Sequence, residues 1–222
     1  NGMNLQYVRN QNSFLCRLAV QQNGMALQYV QNQTDYLCQL AVQQNGMALQ
    51  FCLVQTADIC LTAVRQNFDA SKFVKNKTDT IWLNIVKQDG HKLRDVQKQT
   101  TEICLAAVRQ DGTSLQFVQK QCYEICLAAV QQTPWAIEYV INQTNHLCLM
   151  AVLRNAWLLQ FVKNQTEEIC YEAVSKLGET LRVVRKQTRK ICLAAVQNNG
   201  DALNYVVNQT DAICLAAVKR NG

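Results

Sequence analysis

Apolar residues recur along the chain with a period of 22, and ten successive blocks from 1–22 to 199–220 repeat one arrangement. Within a block, positions 4, 5, 7 and 8 are apolar, as in Ala26, Leu27, Tyr29 and Val30; positions 15, 16, 19 and 20 are apolar again, as in Ile213, Cys214, Ala217 and Val218. Residues three and four apart share a helix face, so each block predicts two short helices joined by a turn. The first positions agree with this. Position 1 is mostly Asn or Asp and position 12 mostly Thr, as at Thr34, Thr100 and Thr210, side chains that accept from the unpaired amides of a helix start.

Helices of two to three turns are marginal alone in water, so the blocks must hold one another. Valine fills position 20 in all ten blocks, and alanine position 19 in all but the fourth; small residues at 16 and 19 let backbones approach. The expected fold is all-α: an αα-solenoid of ten 22-residue helix-turn-helix repeats forming a right-handed superhelix, one repeat domain over 1–222. Its repeats are 1–22, 23–44, 45–66, 67–88, 89–110, 111–132, 133–154, 155–176, 177–198 and 199–220. Glutamine at position 11, replaced once by Lys77, falls in the turn and is read as satisfying turn backbone. The fourth repeat departs most, with Phe68, Ser71, Lys77, Trp82 and Ile85 at consensus positions, read as a local repacking of large against small. Pro134 suits the first position of a helix.

Composition narrows the classes. The residues are 49% apolar, yet no run approaches the roughly 18–20 residues of a membrane-spanning helix, and one proline with eight glycines excludes collagen-like and Gly/Pro-rich disordered chains. Nine of the eleven cysteines stand at position 16, one per repeat. Equivalent residues on stacked helices lie about 8–10 Å apart, too far for a disulfide between rungs, and too spread along an axis for zinc. They are read as free, packed thiols in an intracellular reducing compartment. Cys122 and Cys126, four apart, are the one spacing with room for oxidation or metal. Five N-x-T sequons, at Asn32, Asn76, Asn142, Asn164 and Asn208, are explained by their threonine as a helix cap.

No Gly-rich phosphate loop, HExxH, CxxC or GxSxG sequence occurs, and the two histidines, His91 and His146, stand in different columns. The chain is therefore read as no enzyme, with no cofactor and no metal. His146 shares a column with Glu124 and Glu168, which points to a surface salt link. Charge becomes informative when sorted by column. Eight acids at positions 13 and 14 and seven bases at positions 21 and 22 complement the dipole of the second helix and imply no ligand.

Positions 6, 9 and 10 differ: Arg9, Lys72, Lys75, Arg94, Lys98, Lys120, Lys163, Arg182, Arg185 and Lys186 face one acid, Glu138. Stacking aligns them into a broken basic stripe, strongest in repeat nine beside Arg189 and Lys190. Such a stripe fits phosphates or an acidic protein, or is merely a solvated face, since the net charge is only +6. Trp135 and Trp157, at position 3 of consecutive repeats, are either anchors for a partner or packing against the neighbouring helix start.

The leading expectation is a non-enzymatic structural or protein-interaction scaffold, possible self-assembly running head to tail through apolar faces at its two ends. The alternative is a nucleic-acid-binding repeat protein using the basic stripe. The motif Q-N-G-x-A-L-x-Y-V followed by Q-T-x-x-I-C-L-A-A-V, carried by residues such as 198–218, resembles the DUF4116 repeat. That resemblance implies helical repeats and a setting in large amoeba-infecting DNA viruses or intracellular bacteria, and it supplies no catalytic residues.

Overall fold

The computed structural model describes residues 1–221. Among them every repeat is a six-residue 3₁₀ helix followed by an α-helix, and there is no strand. In repeat six, for instance, the 3₁₀ helix Gly112–Phe117 precedes the α-helix Tyr123–Gln132. The α-solenoid of ten helix-turn-helix repeats is thus the observed architecture, with one change: the first helix is 3₁₀ and not α. Its bonds run three residues back, as in Ala26 N to Asn23 O at 2.9 Å and Val30 N to Leu27 O at 3.1 Å.

Length explains the change. Six residues span about 12 Å as 3₁₀ but only about 9 Å as α, and the ten-residue α-helix beside them spans about 15 Å. The tighter winding keeps the two layers closer to matched. The sequence carries its sign, because positions 2, 5 and 8 are buried at a spacing of three, as in Gly24, Leu27 and Val30. Position 7, expected on the buried face, is only half-buried at Tyr29 and Phe51 and is open at Tyr7.

Position 2 is tight as well as buried. A Cβ on Gly112 would run into the Ala129 carbonyl oxygen and come within 2.9 Å of Thr133 Cβ. The Gly112 N–H is held at 2.7 Å by Oε1 of Gln132, from the far end of the same repeat.

The chain divides into two compact units, Asn1–Lys92 and the remainder from Leu93. Inside each, α-helices pack on neighbouring α-helices, 3₁₀ helices on 3₁₀ helices, and the layers on each other. The dry seam is built from the expected columns: Cys126, Ala129 and Val130 in repeat six, and Cys170, Ala173 and Val174 in repeat eight, are all buried.

Glutamine at position 11 fastens one repeat to the next. Gln143 donates from Nε2 to Ile137 O of its own repeat at 2.9 Å and to Phe161 O of the following one at 2.9 Å. Its Oε1 accepts from Lys163 N at 2.8 Å and from Cys148 Sγ at 3.7 Å. All four hydrogen-bonding positions of the amide are filled. Gln33, Gln55, Gln121 and Gln165 make the same set.

Candidate interaction surface

The thiol column is occupied by this fastening. Each position-16 cysteine lies 3.5 to 3.9 Å from the glutamine oxygen of its own repeat. Burial pushes the Cys104, Cys126, Cys148 and Cys192 thiols up, and Cys170 up to about 11, so they stay protonated and poorly nucleophilic at neutral pH. Among the described residues no group of three or more His, Cys, Asp or Glu is placed to hold a metal ion. Cys122 is exposed at the N-cap position of the α-helix that contains Cys126 and makes no side-chain cap bond; both are free thiols.

The basic residues do not behave as one stripe. Position 9 turns out to be largely structural, because a long cationic side chain there reaches back one repeat to carbonyl oxygens of the preceding turn. Lys163 Nζ donates to Val140 O at 2.9 Å and Ile141 O at 2.8 Å, Arg185 Nη1 to Lys163 O at 2.7 Å, and Lys75 Nζ to Leu53 O at 3.4 Å. Position 6 is engaged locally: Lys72 pairs with Asp69 at 2.7 Å, and Arg94 lies 3.8 Å from Asp95. Lys72 in turn holds the Asp69 carboxyl below its usual range.

Two exposed groups of cations are left. Lys98 and Lys120, at position 10 of successive repeats, line an open cavity of about 320 Å³ with Thr100, Thr101 and Cys104. Repeat nine holds the other group, Arg182, Lys186, Arg189 and Lys190. Its α-helix Arg189–Asn198 begins with two cations and has no acid in its first turn, against the preference of a helix start for negative charge. Lys190 Nζ sits 4.6 Å from the Tyr171 ring centroid. Acids interrupt the patch, since Glu167 accepts from the Thr188 hydroxyl at 2.7 Å.

Both tryptophans bridge repeats. Trp135 stays 46% exposed while meeting Phe161 edge-on at 5.7 Å. Trp157 is half-buried beneath Arg182, whose Cζ lies 4.5 Å from the ring centroid. Each ring therefore has a neighbour in the next repeat, and Trp135 also offers a large face to solvent. His146 does not take the carboxylate partner suggested by its column; its Nδ1 is 2.9 Å from the Tyr123 hydroxyl.

One feature escaped the column reading. A cavity of about 540 Å³ opens between the α-helix starts of repeats one and two, lined by Phe14, Arg17, Asn32, Thr34 and Tyr36. Its signal in the sequence was a pair of aromatics at position 14, where acids are common.

A family model described as "Domain of unknown function (DUF4116)" matches residues 102–143, a stretch running from the α-helix of repeat five to the turn of repeat seven. No curated protein matches the chain, and no solved structure does. Among the described residues no helix is long and apolar enough to cross a membrane.

Proposed function

We propose that the chain is a non-catalytic scaffold that works by stacking, and that the outward face of repeat ten takes a further repeat head to tail, from a second copy or from the continuing polypeptide. One observation carries this reading: the outward faces of repeats ten and one are the two halves of the fastening repeated inside the chain. Gln209 donates from Nε2 to Leu203 O of its own repeat at 3.3 Å, as its equivalents do. In repeat one, the Tyr7 carbonyl and Arg9 N–H occupy the positions whose equivalents in repeat two, Tyr29 O and Gln31 N, are held by Gln11 at 2.7 and 3.0 Å. The apolar surfaces correspond too. Val218 is 63% exposed where the other nine valines of its column are fully buried, and Leu15 is 39% exposed where its column is otherwise buried. The heterologous contact repeats the register of the internal fastening, Gln209 taking the place of Gln11 against Tyr7 O and Arg9 N, and it propagates.

Sedimentation of the chain over a wide concentration range tests this. Mass should grow with concentration through a ladder of multiples, and Val218→Glu should abolish the growth. Monomer at every concentration, or a Val218→Glu variant that associates like the parent, overturns it.

A second reading, binding of nucleic acid, is favoured by the cations of repeat nine that open a helix against its dipole. Neutralising several phosphates makes affinity fall steeply with salt. A flat salt response of any binding, or none at low salt, removes that reading. We place the chain in a reducing compartment on the spacing of its cysteines, nine of which stand one per repeat.

A further inference from the structure

Three Asn-Gly pairs stand at junctions between repeats: Asn23 with Gly24, Asn45 with Gly46, and Asn199 with Gly200. In such a pair the glycine nitrogen can reach the asparagine side-chain carbon, because no Cβ hinders the approach. The fold gives all three pairs one geometry. Each asparagine is half-buried in extended backbone, with ψ of 111°, 110° and 116° in chain order, and each glycine is buried. Each Oδ1 accepts at 3.0 Å from the amide two residues on, that of Met25, Met47 or Asp201.

One contact separates them. The Gly24 N–H is held by Gln44 Oε1 and the Gly46 N–H by Gln66 Oε1, both at 2.6 Å and both from position 22 of the same repeat. Gly178 is held likewise at 2.8 Å by Asn198 Oδ1. In repeat ten position 22 is Arg220, whose guanidinium has donors and no acceptor, and its Nε turns to Asn198 O at 3.3 Å. The column therefore offers Gly200 no acceptor.

We propose that Asn199 beside Gly200 is a site of spontaneous deamidation, and that the position-22 acceptor protects the equivalent pairs. The Gly200 nitrogen attacks Asn199 Cγ; the new N–C bond closes a succinimide ring, the Cγ–Nδ2 bond breaks, and the nitrogen's proton leaves with the amide group as ammonia. Water then opens the ring at one of its two carbonyls, giving aspartate or isoaspartate. One water is consumed for each ammonia released, and nothing is oxidised or reduced.

Attack requires the glycine amide to lose its proton and to swing toward Cγ, out of the shared extended backbone. An acceptor at 2.6 Å keeps the proton and fixes the peptide plane, so Gly24 and Gly46 must first break that bond. The two products differ in their effect. Aspartate already fills position 1 in repeats five and six, where Asp111 Oδ1 accepts from Thr113 N at 2.9 Å, so aspartate at 199 keeps the cap. Isoaspartate runs the main chain through Cβ and displaces the start of the 3₁₀ helix Gly200–Tyr205.

The native chain is aged at mildly alkaline pH and digested with trypsin. Fragment masses then read Asn23 and Asn45 in peptide 18–65 and Asn199 in peptide 191–219. Asn199 should convert roughly 3- to 10-fold faster than the other two, the factor for one hydrogen bond broken first. Arg220→Gln installs the column's own residue and should slow Asn199 to their rate. Gln44→Arg moves the residue of repeat ten into repeat two and should speed Asn23 alone. In guanidinium chloride all three should convert alike. Equal rates in the folded chain overturn the proposal, as does a difference of the same size that survives unfolding. An Arg220→Gln chain that ages like the parent, or a Gln44→Arg chain in which Asn23 is no faster, overturns it too.

Discussion

Repeats three and four are neighbours in one compact unit, and they solve the same packing problem with different chemistry. In repeat three, Gln55 holds Leu49 O and Phe73 O and accepts from Lys75 N and Cys60 Sγ. In repeat four both members of the pair change: Lys77 replaces the glutamine and Trp82 the cysteine. Lys77 Nζ donates to Val74 O at 3.2 Å and lies 5.6 Å from the Trp82 ring centroid, a cation on an aromatic where the other repeats place a thiol on an amide oxygen. An ammonium donates but does not accept, so a thiol beside it would have lost its oxygen. Positions 11 and 16 therefore act as one unit, and the cysteine is there to complete a hydrogen-bond set as well as to fill space.

Removing the amide should break that unit most severely. Gln143→Ala strips partners from Ile137 O, Phe161 O, Lys163 N and the Cys148 thiol at once, and a loss of roughly 3 kcal/mol is expected in urea unfolding. A loss under about 1 kcal/mol would reduce the glutamine to loop decoration. Exchanging one member alone comes next. Cys148→Trp should cost about 2 kcal/mol by overpacking and by depriving Gln143 of its thiol. Adding Gln143→Lys should recover roughly 1 kcal/mol relative to additivity, the coupling expected of the repeat-four pairing. A coupling of zero in that double-mutant cycle would make the joint change in repeat four a coincidence.

Alkaline pH sharpens the comparison from the thiol side. Burial raises the folded-state pKa of Cys16, Cys60, Cys104, Cys126, Cys148, Cys170 and Cys192 above the unfolded value, so their contribution is complete below about pH 9 and fades as pH rises through the folded value, about 11 for Cys170. Melting curves should shift downward between these limits, and Cys170→Ala should flatten the shift; an unchanged slope would show the thiols exposed to base in the folded protein.

The smallest change concerns two hydroxyls at position 4. Ser114 is fully buried and its Oγ has no hydrogen-bond partner, whereas Thr180, equally buried, donates to Leu177 O at 2.7 Å. Ser114→Ala should therefore raise stability by about 1 kcal/mol, and Thr180→Ala should lower it by a similar amount. Equal signs for the two variants would contradict the assignment.

The period, the buried columns and the structural role of the position-11 glutamine were legible because each depends on spacing within one block. The choice between α and 3₁₀ was not, since six residues fit either winding and length matching to the adjacent layer decides. The position-9 cations looked like a ligand surface for a related reason: whether Lys163 or Arg185 spans the step to the preceding carbonyl depends on the rise between repeats, which composition does not encode.

The fastening glutamine has a consequence for how such a chain changes in length. Excising residues 133–154 would bring Gln121 against the Phe161 carbonyl and the Lys163 amide in place of Tyr139 and Ile141, the same two backbone groups at the same two register points. Because these partners are main-chain atoms, side-chain identity at those points is irrelevant to the bond. Copy number can therefore drift by whole blocks, through duplication or deletion, without any compensating substitution at the scar.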